Sequence, residues 1–244
     1  MNQIEGRNPV LEALRAKAPI NKIFLQKQAG GSIRQIYELA RQQGIVIVET
    51  EKVILDKMSE GRPHQGVVAD VAVESYADFD DLVDRAKAHA RPLLLVLDHI
   101  EDPHNLGAIL RSALAFGAQG AIIPKRRSAA LSPAVAKASA GAILHLPVAR
   151  VANLSQHVDR LKDAGFTVVG AEASGKTLYD VKLAGPLVLI IGSEGDGLSR
   201  LLRESCDELV AIPMVGAVGS LNASVAAGVV MFEIARQNRA ALTP

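Results

Sequence analysis

Leu187-Val-Leu-Ile-Ile-Gly192-Ser-Glu-Gly-Asp-Gly-Leu198, with Leu209-Val-Ala-Ile-Pro213-Met and Gly219-Ser-Leu-Asn222-Ala-Ser-Val after it, decides the fold of this 244-residue chain. The run Leu187 to Ile191 has strand length and does not alternate, and a second run, Leu209 to Ile212, is stopped by Pro213. Apolar runs of this kind belong to strands covered on both faces, as in the parallel sheets of α/β proteins. Each run discharges into a glycine-rich loop, where backbone can come close to a ligand, and the carboxyl ends of strands are where open α/β sheets bind. The polar side chains left at those ends are Ser193, Glu194, Ser220 and Asn222.

Working outward, the same alternation fills the C-terminal two thirds. Leu93 to Leu97 is a buried strand ending at Asp98, and the loop from His99 leads to Asn105, read as the cap of a helix from Leu106 to Phe116 that carries Arg111. Strands are expected at 118–123, 144–148 and 167–170, with helices at 133–140 and 154–164. The last helix, Asn222 to Arg239, is apolar on most faces through Val225, Val229, Val230, Phe232 and Ile234, and is expected to be deeply packed. Before residue 75 the pattern is helix 7–17, strand 20–25, helix 33–43, strand 45–49, helix 52–59 and strand 67–73, a compact α/β module. The acidic segment Glu74 to Asp84, expected to begin a helix that Arg91-Pro92 ends, marks the boundary, giving domains at 1–75 and 91–244 with 76–90 as linker.

Composition excludes several classes. At 49% apolar and 22% charged the chain is globular, and no stretch offers the roughly 18 apolar residues of a spanning helix. The start, Met1-Asn-Gln-Ile-Glu, lacks a signal peptide's layout, so a soluble, cytoplasmic protein without a membrane partner is expected. The single Cys206 allows no internal disulfide and reads as a packed thiol. With a net charge of +1, a nucleic-acid surface has to be local. Residues 91–151 hold 7 Lys/Arg against 3 Asp/Glu, and Lys125-Arg-Arg127 there is either a phosphate-binding surface or a solvated loop.

Some signals point elsewhere. Gly170-Ala-Glu-Ala-Ser-Gly-Lys176-Thr177 matches the phosphate-binding loop of nucleotide hydrolases, but that loop must open a helix, and Leu178 to Pro186 is too short and too soon broken for one. His99 and His104 are five apart, which does not put two imidazoles on one helix face, so no metal is expected. Ser193 lacks the Gly-x-Ser-x-Gly frame of a hydrolytic nucleophile.

Three segments, Asn105-Leu-Gly-Ala-Ile-Leu-Arg111, Gly192-Ser-Glu-Gly-Asp-Gly-Leu198 and Ile212-Pro-Met with Gly219-Ser-Leu-Asn222-Ala-Ser-Val, resemble in order and spacing the signature motifs of the SpoU/TrmH family of RNA ribose 2′-O-methyltransferases. Gly6-Arg-Asn-Pro-Val-Leu-Glu-Ala-Leu14 and His64-Gln-Gly-Val-Val68 add a likeness to the members that methylate a guanosine in 23S ribosomal RNA. The resemblance implies an α/β trefoil-knot catalytic domain behind a smaller, ribosomal-protein-like α/β domain that binds RNA. It implies S-adenosyl-L-methionine as methyl donor, ribosomal RNA rather than DNA as partner, and a homodimer sharing its sites. On the same basis Arg111, Asn105, Glu194, Ser220 and Asn222 fall at catalytic positions, and Gly192, Ile212 and Leu221 at cofactor contacts. Ser220 and Asn222 also stand where a helix cap belongs, and Arg111 without the surrounding motif would read as a helix-face arginine in an ion pair. A tRNA 2′-O-methyltransferase and a non-catalytic RNA-binding relative are the alternatives.

Overall fold

The computed structural model describes residues 3–27, 33–72, 75–217 and 219–238. Val73, Glu74 and Arg239, which end or begin segments read from the sequence, lie outside the described residues. Two units are formed, one from Met1–Ser75 with Ala130–Pro133, the other from Tyr76–Ala129 and Ala134–Pro244.

In the first unit, β1 (Gln3–Glu5), α1 (Arg7–Arg15), β2 (Ile20–Gln26), α2 (Ile33–Gln42), β3 (Val46–Thr50), α3 (Lys52–Met58) and β4 (Val67–Val71) follow in order. The sheet runs β1-β4-β2-β3, antiparallel except where β2 meets β3. Strand β1, absent from the sequence reading, is three residues long, too short for any period; it is held by pairing such as Ile4 with Ala69 and by Arg62 on Glu5. Val10 and Leu14 of α1, Ile36 of α2 and Ile23 of β2 are fully buried in one core. Removing a side chain such as Leu14 would cost about 2–5 kcal/mol.

In the second unit, α4 (Phe79–Lys87), β5 (Leu93–Leu97), α5 (Pro103–Ala115), β6 (Gly120–Pro124), α6 (Pro133–Ala138), β7 (Val148–Val151), α7 (Leu154–Asp163), β8 (Thr167–Thr177), β9 (Leu187–Ile191), α8 (Arg200–Ser205), β10 (Glu208–Ala211) and α9 (Ala223–Gln237) build a parallel sheet in the order β10-β8-β9-β5-β6-β7. Strands β5 and β9 are adjacent at the centre and buried along their whole length. Their carboxyl ends therefore open side by side, the position at which such sheets bind ligands.

Four expectations are corrected. Residues 76–90 are no linker: Phe79, Leu82, Val83 and Ala86 of α4 sit in the core with Leu94, Ile122 and Val158. The acidic residues there serve the helix start, where Asp78 Oδ1 accepts from the amides of Asp80 and Asp81 at 2.8 and 3.2 Å. The strand expected at 144–148 begins only at Val148, because Pro147 has no amide to give a ladder. Helix α5 is capped by Asp102, which accepts from the amide of His104 at 3.0 Å, with Pro103 in the first turn, so Asn105 lies inside the helix. Helix α9 is only half covered: Ala227, Val230, Met231 and Ile234 are buried, while Val225, Val229 and Phe232 are 50%, 37% and 57% exposed. Among the described residues no helix is long and apolar enough to cross a membrane.

The nucleotide-loop match falls inside β8 and ends in a single turn of 3₁₀ helix. Gly175 is small for another reason, since a β-carbon there would stand 2.5 Å from the backbone carbon of Leu209 on β10.

Candidate functional site

Strand β9 ends at Gly192, and the chain turns on itself at once: the amide of Ser193 donates to Gly197 O at 3.2 Å and that of Gly197 to Ser193 O at 3.1 Å. The closure brings Gly197 so near Gly192 that a β-carbon on the latter would lie 2.2 Å from the Gly197 carbonyl carbon. Only glycine fits, and the loop is a backbone-lined wall. Its far end is tied to the neighbouring strand, where the fully buried Asp98 accepts from the Ser199 amide through Oδ2 at 2.7 Å. Asp98 Oδ1 stands 2.7 Å from His99 Nδ1 without hydrogen-bond alignment.

Two cavities share this loop. The smaller, about 240 Å³, is walled by Gly192, Ile212 and Leu221, with Met214, Ser220 and Glu194 on its rim. The larger, about 580 Å³, is lined by His99, Asp102, Asn105, Arg127 and Glu194. Ser193, Glu194, Asp196, Gly197 and Ala223 belong to both, so the loop is the partition between them.

Across the partition runs one hydrogen-bonded cluster. Asn105 Nδ2 donates to Glu194 Oε1 at 2.8 Å, Asn222 Nδ2 donates to Asn105 Oδ1 at 2.9 Å and to Glu194 Oε1, and the Ala223 amide reaches Glu194 Oε1 at 3.4 Å. Asn222 at the same time caps α9, its Oδ1 accepting from the amides of Ser224 and Val225 at 2.9 and 3.3 Å. Cap and cluster are thus one residue's two ends, the oxygen holding the helix and the nitrogen holding the loop. The carboxylate ties α5, the 192–198 loop and the start of α9 together, which fixes the partition in place.

Arg111 stands apart. It is exposed on α5, lines neither cavity, and has no ion pair or hydrogen bond among the described residues. The cation beside the cluster within this chain is Arg127, exposed and in the left-handed region with φ 53°. His99, φ 58°, borders the same cavity. Neither had a motif position to announce it; the charge count marked the Lys125–Arg127 run but not which member faces the cavity. Lys125 is the inward one: burial, then the nearby Arg150, holds its ammonium below the usual lysine range. Cys206, half buried with its thiol on Leu202 O, is pushed up to about 11 by burial.

Chemically, the smaller cavity offers apolar walls and backbone polar groups, suited to a flat heterocycle with a short polar chain. The larger offers amide and carboxylate groups beside one guanidinium. Among the described residues no group of three or more His, Cys, Asp or Glu is placed to hold a metal.

Comparison with known proteins places these features. The model of the SpoU rRNA Methylase family matches residues 92–232, and that of the RNA 2′-O ribose methyltransferase substrate binding family matches residues 3–77. An uncharacterized tRNA/rRNA methyltransferase of Mycolicibacterium vanbaalenii is 49% identical over 97% of this chain and 76% of its own length. The SpoU methyltransferase AviRb of Streptomyces viridochromogenes, crystallised in complex with the cofactor AdoMet, superposes with a TM-score of 0.60 at 30% identity, covering 97% of this chain and 89% of that one. An AdoMet-bound rRNA methyltransferase of Sinorhizobium meliloti gives a TM-score of 0.60 at 25% identity, over 96% and 86%.

Proposed function

This chain belongs to the SpoU rRNA methylase family, and we propose that it methylates the ribose 2′-hydroxyl of a guanosine in 23S ribosomal RNA with S-adenosyl-L-methionine as donor. The observation that carries the proposal is the partition: two cavities of different chemistry meet at a glycine loop held by Asn105, Glu194 and Asn222. Group transfer between two bound molecules needs that juxtaposition, because most of the rate comes from holding the reacting atoms in line.

Gly192, Ile212 and Leu221 would hold the cofactor: the β-carbon-free Gly192 lets backbone approach it, and the two aliphatic side chains cover its faces. When bound, it supplies a sulfonium-activated methyl group. The chain's own residues then have three tasks. Ser220, on the rim of the smaller cavity, and Asn222 orient polar groups at the partition. Asn105 and Glu194 present a hydrogen-bonding edge to the acceptor ribose from the larger cavity. Arg127 engages a phosphate there, as a permanently charged guanidinium is suited to do.

Arg111 enters the site from a second copy of the chain. It has no partner among the described residues, and beside it Ala108 and Phe116 form a largely apolar surface with the uncovered Val225, Val229 and Phe232 of α9. A homodimer closing over that surface would carry the free guanidinium towards its partner's partition, where it would bind phosphate and stabilise the developing alkoxide. The first unit selects the RNA. A tRNA acceptor is the competing target, since the mycobacterial relative is named for both RNAs.

The test is methyl transfer from labelled cofactor to a panel of 23S and tRNA transcripts, with the modified nucleotide mapped by mass. A 2′-O-methylguanosine in 23S RNA is expected. Methylation on a base, or on tRNA alone, overturns the assignment.

A further inference from the structure

Methyl transfer to a hydroxyl sets a proton free, and none of the roles given above takes it. Arg111 and Arg127 carry guanidinium groups, which stay charged at neutral pH and cannot accept it. Among the carboxylates of the larger cavity, Glu194 Oε1 is filled by three N–H donors and Asp102 Oδ1 by the His104 amide. No hydrogen bond among the described residues orients the side chain of Glu101 or Asp196, both exposed. His99, which lines the same cavity just past the end of β5, is placed differently.

We propose that His99 accepts the proton of the 2′-hydroxyl, with Asp98 as the positioning residue behind it. The proposal rests on the 2′-O-methyltransferase reading above. Asp98 is fully buried and fixed between two elements: its amide donates to Ile191 O at 2.8 Å, and its Oδ2 accepts from the Ser199 amide at 2.7 Å. Its Oδ1 is buried as well and has no hydrogen-bond partner, a costly state for a carboxylate oxygen. The group that stands against it, at 2.7 Å, is His99 Nδ1. Catalytic hydrogen bonds often align only when substrate is bound, and a turn of the ring would complete this one.

An acceptor oxygen at Nδ1 assigns the ring proton to that nitrogen and leaves the lone pair on Nε2, which has no partner among the described residues. The side chain is 37% exposed, so the ring is open to a ligand in the cavity. In the step, the hydroxyl O–H bond breaks and an N–H bond forms at Nε2. The oxygen makes its new bond to the methyl carbon, and the electron pair of the broken C–S bond stays on sulfur. The positive charge lost there reappears on the imidazolium beside Asp98. The charged groups sharing the cavity with the ring are Glu101 and Asp102 of its own loop, Glu194 and Asp196 of the glycine loop, and Arg127. Carboxylates predominate, which favours the cation as it forms.

The experiment follows methyl incorporation into a 23S ribosomal RNA transcript in single turnovers of the full-length protein across a range of pH. The starting protein should slow with acid, because a protonated ring has no lone pair to offer. Asn and Gly both accept the left-handed backbone of His99, φ 58°. His99→Asn and His99→Gly should therefore fold and bind S-adenosylmethionine as the starting protein does, read by circular dichroism and calorimetric titration. Both should transfer about 10²- to 10⁴-fold more slowly with the acid limb gone, and added imidazole should restore part of the rate in His99→Gly alone. Transfer at the starting rate in His99→Asn overturns the proposal, and so does an acid limb that survives in both variants. Donor binding lost together with activity would make His99 a structural residue and overturns it too. A starting protein that binds the donor yet methylates no RNA overturns the methyltransferase reading itself, and is recognised before any variant is made.

Discussion

Glu194 accepts three N–H groups on one oxygen, and through them a single carboxylate holds a helix, a loop and a helix start. Its neighbour Asn222 separates two roles that its residue type leaves merged. Asn222→Ser keeps an oxygen able to cap α9 but loses the amide that reaches Asn105 and Glu194. We expect Asn222→Ser to melt within a few degrees of the starting protein and to lose most methyl transfer. Asn222→Ala should lose transfer and a further ~1 kcal/mol of stability from the missing cap. Full activity in Asn222→Ser, read by labelled methyl incorporation, would reduce the cluster to a cap. The thiol of Cys206, raised to about 11, is almost wholly protonated at neutral pH. Alkylation by iodoacetamide should be very slow at pH 8 and accelerate only as pH approaches 11; rapid labelling at pH 8 would show the site to be more open than its burial indicates. At this scale residue types were legible and partners were not. Asn105 and Asn222 stand 117 positions apart, and no periodicity states that their amides meet. His99 and Arg127 fall outside the three motifs; the basic run Lys125–Arg127 pointed towards the second but not to its cavity, and both residues have a left-handed backbone.

Strands β5 and β9 were legible because a strand covered on both faces must be apolar throughout, whereas their adjacency is seen only in the pairing of Leu93 with Leu187 through Leu97 with Ile191. The pattern failed where something other than burial sets the boundary. Pro147 delays β7 by the lack of an amide, and the helix expected in the acidic segment belongs to the core rather than to a linker, because its charged residues cap and flank an apolar face of Phe79, Leu82 and Val83. Helix α9 misled in the opposite sense: apolar all round reads as deeply packed, whereas Val225, Val229 and Phe232 stay exposed. The nucleotide-loop match in β8 makes a separate prediction. Lys176 pairs with Glu208 at the surface at 2.8 Å, a contact worth about 0–1 kcal/mol. Lys176→Ala should leave methyl transfer unchanged and confer or remove no binding of ATP in equilibrium dialysis. ATP binding abolished by that substitution would restore the discarded match.

The molecule as a whole holds a small mixed sheet in the segment matched by the substrate-binding family and a parallel sheet in the segment matched by the SpoU family, and most of its alternation of strand and helix was readable. A surface that would be buried only on pairing is not readable in the same way, because its apolar signature is that of a core. If α9 is the dimer face, Phe232→Glu should yield a monomer by sedimentation and remove methyl transfer while the circular dichroism spectrum is retained. An active monomer would place Arg111 outside the reaction. The central claim is that the glycine loop after β9 forms the methyl-donor cavity, and calorimetric titration of S-adenosylmethionine into the starting protein and Gly192→Ala tests it most directly. A β-carbon at that position meets the Gly197 backbone at 2.2 Å and must push the loop out of place. The account predicts saturable binding by the starting protein and its loss in a Gly192→Ala variant that remains folded; a variant that binds the donor as tightly as the starting protein would contradict it.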